Sequence, residues 1–197
     1  METTDHFRAL ASSKRDQSFE HIRHGSRALA DLAVTAAPAA APIVRVFVVD
    51  RKVDRLALAS STEPDDEAVP FLWQPGRGVL GVCWSGRRTV VLDTTDDIYR
   101  DATTSDFLWN RLSDDRRLGL TRDEAATLGP WTRAVTAVAV TCRTGALAAR
   151  PRPPIVGVVA VHVDGDAHDD VQTGARRAIE DGALALEPWL TAVWQLS

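Results

Sequence analysis

Apolar residues in the first part of the chain recur at three-, four- and seven-residue intervals. Ile22, Leu29, Leu32 and Ala36 form one stripe along a helix expected from about Asp16 to Ala36, with Phe7 and Leu10 in a short helical turn or frayed extension before it. Pro38 and Pro42 stop the helix, because proline lacks an amide donor and disfavours helix in the residue before it. The pattern then changes to strand. Ile43 to Val49 is a β-branched and aromatic run interrupted only by Arg45, as in a mostly buried central strand. A polar turn, Asp50 to Asp54, returns it into a hairpin partner over Arg55 to Ala59. After a polar loop (Ser60 to Glu67) comes QPGRGVLGVCWSGRRTVVLD, residues 74–93. Here Gly76, Gly78, Gly81 and Gly86 punctuate a short apolar run, predicting one or two helical turns, a tight turn at Ser85-Gly86 and a strand over Thr89 to Leu92.

From Asp93 to Gly129 the apolar residues come in small groups among Asp and Thr, which predicts short helices and capped turns. Thr121 and Glu124 form a capping box, so a helix is expected from Thr121 to Leu128, ended by Gly129-Pro130. Two long strands follow, Thr132 to Cys142 and Ile155 to Val163, joined by a flexible proline-containing connection. Asp169 or Asp170 starts a final helix, along which Ile179, Leu186, Leu190 and Val193 keep helical spacing; Pro188 should kink or restart it. This order of elements is α+β, with a mainly antiparallel sheet.

Composition narrows the function classes. The chain has 197 residues, 45% hydrophobic and 25% charged, which suits one globular domain with appendages. A net charge of −4, with arginines scattered among acids, gives no footprint for nucleic acid. Arginine greatly outnumbers lysine, as in proteins of GC-rich bacterial genomes. The N-terminus lacks the basic and apolar regions of a secretory signal, and the most apolar stretch, Ala33 to Val49, is too interrupted to span a bilayer. Cys83 and Cys142 make no disulfide framework and no zinc spacing, so a cytoplasmic chain with reduced thiols, without metal or cofactor, is expected.

The glycine-punctuated segment, the insert behind it and the IVGVVAV strand at 155–161 together resemble the GAF domain family, a PAS-related α+β fold. The resemblance covers about Asp31 to Trp194. It implies an N-terminal helical segment over 1–37 and a GAF-like domain over 38–197, with a C-terminal helix over 167–195 packed beside the first on one side of the sheet. It also implies a small-molecule pocket roofed by residues 93–129. Candidate lining residues are Trp73, Trp84, Asp93, Thr94, Asp97, Tyr99, Phe107, Trp109 and Trp131, apolar walls with a few polar groups.

The expected function is a non-catalytic sensory domain that binds a small molecule and signals, as a homodimer, to a separate protein partner. Candidate dimer residues are Ile22, Leu29 and Leu32 on the first helix, and Ile179, Leu186, Trp189, Leu190, Val193 and Trp194 on the last, whose two tryptophans are typical interface anchors. Two alternatives stand beside it. One is a degenerate GAF fold acting as a scaffold, its pocket filled by Trp73, Trp84 and Trp109. The other is a thiol-dependent free methionine sulfoxide reductase, but the family's cysteine would fall where this chain has Leu80, and the roof has none. Gly76-Arg77-Gly78 matches neither phosphate-loop pattern and reads as backbone turning, and His162 reads as a structural strand histidine.

Overall fold

The first helix runs further than its apolar stripe implies. In the computed structural model, which describes residues 2–36, 41–63, 73–93, 97–128, 134–163 and 174–196, α1 is one continuous helix, Glu2–Ala36. It is about 52 Å long at 1.5 Å per residue. The turn expected at Phe7 and Leu10 is continuous with it, since residues 2–24 contain neither proline nor glycine. Ser18, Ile22, Ser26, Leu29 and Ala33 form its buried stripe. The two serines satisfy their hydroxyls within the helix, donating to Lys14 O (2.9 Å) and Ile22 O (2.8 Å).

The hairpin β1 (Ile43–Asp50) and β2 (Arg55–Ser61) forms as expected, followed by α2 (Gly78–Gly86) and β3 (Val90–Leu92). Four short helices make the insert: α3 (Asp97–Ala102), α4 (Asp106–Arg111), α5 (Asp114–Arg117) and α6 (Arg122–Leu128). β4 (Ala134–Thr141) and β5 (Ile155–Val163) flank a connection that contains a helical turn, α7 (Gly145–Ala148). All strand pairs are antiparallel, in the order β2-β1-β5-β4-β3, so the last strand in sequence is the middle of the sheet.

The C-terminal helix is two helices, α8 (Arg176–Ala185) and α9 (Glu187–Leu196), broken at Leu186. Pro188 is the second residue of α9, where the missing amide breaks no helical bond. The expected start at Asp169 or Asp170 lies outside the described residues.

Alternation sorts the sheet into two faces. Val44, Val46 and Val48, with Gly157, Val159, Val161 and Val163, face the terminal helices. On Gly157 a Cβ would stand 2.4 Å from Phe47 O and 3.1 Å from the Leu190 methyls, so a bare backbone lets α9 seat there. Gly25 and Gly182 do the same between helices: Leu186 fills the space at the first and Leu29 the space at the second. The opposite face carries Arg45, Phe47, Val158, Ala160, His162, Val135, Ala137 and Val90, whose register partners lie side by side across β1, β5, β4 and β3. Val158, Ala160 and Ala137 are fully buried there. The small alanines let α2, which packs on β3, β4 and β5, approach closely.

Candidate functional site

The glycine segment turns the backbone and clamps the insert. Gly76 and Gly78 are both left-handed, with φ of 77° and 64°. A Cβ on Gly78 would meet the Trp73 ring at 2.2 Å, so glycine serves both the turn and the packing of that tryptophan. The amides are engaged: Gly78 N–H donates to Leu118 O and Gly76 N–H to Gly81 O, both at 2.8 Å. Arg77 pairs with Glu124 of α6. A phosphate would therefore find these amides occupied. The expected turn at Ser85-Gly86 is displaced: α2 runs through both residues and ends at Arg87, left-handed at φ 55°, whose N–H returns to Trp84 O.

The insert is tied internally. The capping box forms with Thr121 N–H donating to a Glu124 carboxylate oxygen (2.8 Å) and Glu124 N–H to Thr121 Oγ1 (3.3 Å). That backbone bond, outweighing partial burial and joined by Arg77, holds the Glu124 carboxyl below the ordinary range. Arg122 of α6 bridges to Asp106 of α4 at 3.2 Å. Tyr99 and Trp109 meet edge to face, 5.9 Å apart at 77°, and burial pushes the Tyr99 hydroxyl up to about 12.

Of the candidate pocket residues, Trp73, Tyr99 and Trp109 are buried in the apolar cluster that also holds Leu112, Leu118, Leu120 and Ala125. Trp84 and Asp93 are half-buried. Phe107 is not a lining residue: it is 67% exposed, on the outer surface of α4 with Arg111 over its ring. A six-residue helix can bury one face, and here that face is Trp109's. Asp97 begins α3; Thr94 and Trp131 lie outside the described residues.

Arg45 and His162 stand on the same sheet face. Across the sheet, Arg45 pairs with Ala160, and Ile43, His162, Val135 and Leu92 form the neighbouring row. Burial is complete at Val158, Ala160 and Ala137; in the next row Val135 and both His162 ring nitrogens are buried, while Ile43 and Leu92 are half-buried. Arg45 is only 4% exposed and donates to Glu63 at 2.7 Å. Arg45 and Glu63 form one pair, His162 lies on the adjacent strand β5, and Asp93 follows β3 at the far edge. Sequence reasoning missed Arg45 and assigned His162 a structural role. The available signal was Arg45 itself, the lone charge over residues 43–49.

Cys83 is fully buried on α2. Burial pushes its thiol up to about 12, only partly countered by a backbone bond with Val90 and the charge of Arg88. Cys142 is buried at the end of β4 and donates to Thr144 O at 3.4 Å. Among the described residues no cluster of His, Cys, Asp or Glu could hold a metal ion, and no helix is long and apolar enough to cross a membrane.

The candidate dimer residues find partners within one chain. Ile22, Leu29, Ile179, Leu186, Leu190, Val193 and Trp194 are buried between the terminal helices and the sheet, and Leu32 is half-buried. Trp189 stacks on His21 at 3.9 Å, and Arg51 lies 4.6 Å over Trp194. Their apolar periodicity is accounted for by intrachain packing.

No protein-family model matches the sequence, and no curated protein does. Solved structures match at low identity. The GAF domain/HD domain protein from Geobacter sulfurreducens is 20% identical over 95% of this chain and 99% of its own, with a TM-score of 0.55. The fold is the GAF fold. A methyl-accepting chemotaxis protein fragment, residues 122 to 287, is 15% identical and covers 92% of this chain and 96% of its own, with a TM-score of 0.50. The free methionine-R-sulfoxide reductase from Neisseria meningitidis, in complex with its substrate, is 18% identical over 96% and 93%, with a TM-score of 0.46. Likeness at these identities is one of fold. The terminal helices α1, α8 and α9 form one layer on the sheet, α2 packs on β3, β4 and β5, and the insert is tied to the glycine segment.

Proposed function

We propose that this chain is a non-catalytic regulatory domain of the GAF fold. It binds a small polar molecule on the sheet face that carries Arg45 and His162, towards Asp93, and acts on a separate partner protein. Binding there would bias the insert, whose later part is tied to the glycine segment by Gly78–Leu118 and Arg77–Glu124. A homodimer remains part of the proposal, through the outward side of the terminal helices, where Val34 and Leu196 are exposed.

The observation that carries the reading is Arg45. Sinking a guanidinium into an apolar strand is unfavourable, and an apolar residue of similar size commonly serves stability as well or better. Its partner Glu63 is 39% exposed and would stay solvated without it. A guanidinium held in an apolar strand is suited to recognising an anionic group.

The test is native mass spectrometry of protein purified from its own host, with Arg45→Met beside it. The parent should retain a small molecule and the variant should lose it, while the melting temperature stays within a few degrees. Retention by Arg45→Met, or no small molecule in the parent, overturns the reading. The second outcome favours a scaffold, a role supported by the buried Trp73, Tyr99 and Trp109. The reductase reading is disfavoured by a neutral, fully buried Cys83 and by Leu80 at the family's cysteine position.

A further inference from the structure

β2 is one edge of the sheet, and among the described residues only Trp73 bonds to its outer side. Leu56 N–H points outward and donates to Trp73 O at 3.1 Å. Antiparallel alternation turns Leu58, two residues on, the same way. Among the described residues no bond from outside the hairpin reaches the Leu58 N–H or C=O. Leu58 is also 38% exposed, and a bulge at Ala59 follows, where the register slips from Leu58 to Ser60.

Along this edge runs a groove of about 350 Å³, lined by Arg23 and Arg27 of α1, by Leu58 to Ser61 of β2, and by Glu63. The two arginines are four residues apart and share one side of the helix. Arg23 is paired with Glu20 on the helix surface, and Glu63 is paired with Arg45. Arg27 has no acidic partner among the described residues. The edge therefore combines open strand hydrogen-bonding groups, an exposed leucine and a cationic wall.

We propose that the β2 edge docks an extended acidic segment of a partner protein, added to the sheet as a further strand beside Leu58. Side chains alternate across a strand, so the fitting segment alternates acidic and apolar residues. The acidic set faces Arg23 and Arg27, and the apolar set lies over Leu58. A second copy of this chain, docked edge to edge, would bring the arginines against their own equivalents, so like charge disfavours self-pairing. The inference rests on the reading that the domain acts on a separate protein, but its test uses no small molecule. If the test fails while the parent still retains its small molecule, docking alone falls.

The test uses a fluorescein-labelled peptide of alternating valine and glutamate, followed by fluorescence anisotropy at low salt. The parent protein should bind it, and added salt should weaken binding. The double variant Arg23→Glu, Arg27→Glu should bind it on the order of fivefold more weakly. Leu58→Pro removes only an outward donor, which an edge strand tolerates, and should abolish binding with the circular dichroism spectrum unchanged. Should that variant not fold, the same peptide N-methylated at alternate amides leaves the protein untouched, and should bind on the order of tenfold more weakly. Absence of binding to the parent overturns the proposal. So does equal binding of the N-methylated peptide, which would signify simple charge attraction, or indifference to the arginine reversal.

Discussion

Cys83 and Glu187 are both buried, yet their surroundings drive their ionisation in opposite directions. Cys83 has a single backbone bond against its desolvation and stays a neutral thiol. A shift from 9.0 to about 12 lowers the thiolate fraction about a thousandfold. Native protein at pH 8 should therefore label at Cys83 at least a hundredfold more slowly than protein unfolded in urea; rapid native labelling would refute this. Burial raises the Glu187 carboxyl too, but three donors more than offset it: Arg143 N–H at 3.0 Å, Thr191 Oγ1 at 2.8 Å and Thr144 Oγ1 at 3.1 Å. The group is held below the ordinary carboxylate range. Its stabilising effect is complete above that range and is lost as pH falls through the lowered value. Glu187→Ala should cost about 1–3 kcal/mol at neutral pH, a drop of several degrees in melting temperature, and the deficit should narrow in acid. Neither environment was legible in the sequence, because a donor set drawn from residues 143, 144 and 191 exists only after β4 and α9 meet.

Among the elements, the capping box and the hairpin were legible because their rules act over a few residues. Thr121, Glu124 and the polar turn at 50–54 carry their own geometry. The C-terminal restart at Pro188 was legible too, while the end of α2 fell one residue past the Gly86 signal, at Arg87. The terminal helices show the same limit: apolar spacing placed Leu29 and Leu186 on inward stripes without naming what they face. Each sits against a glycine of the other helical segment. A Cβ on Gly182 would be 2.6 Å from a Leu29 methyl, so Gly182→Val should cost about 1–3 kcal/mol by overpacking. Adding Leu29→Ala should recover part of that loss, and a strictly additive double mutant in thermal melts would show that the two do not touch. The Arg77–Glu124 pair is partly exposed, and Glu124→Gln, which keeps a capping group, should lower stability by no more than about 1 kcal/mol.

For the whole molecule, the α+β class and the antiparallel sheet were readable from element order, and the GAF fold follows the same order through space. The candidate site was only half readable. Aromatics looked like pocket walls, but large flat side chains are also the best core fillers, and Trp73 and Trp109 serve that role. Arg45 became conspicuous only once register placed it on the face with Ala160 and His162. The sheet order has a further consequence, for the making of the protein. β5 separates β1 from β4, so the hairpin at 43–61 and the β3–β4 pair share no ladder until it arrives. A nascent chain emerging from the ribosome through residue 154 holds two small sheet fragments and no joined core. The fold must close late, after synthesis has passed Val163, and until then the apolar edges of β1 and β4 are open to chaperones or to one another's copies.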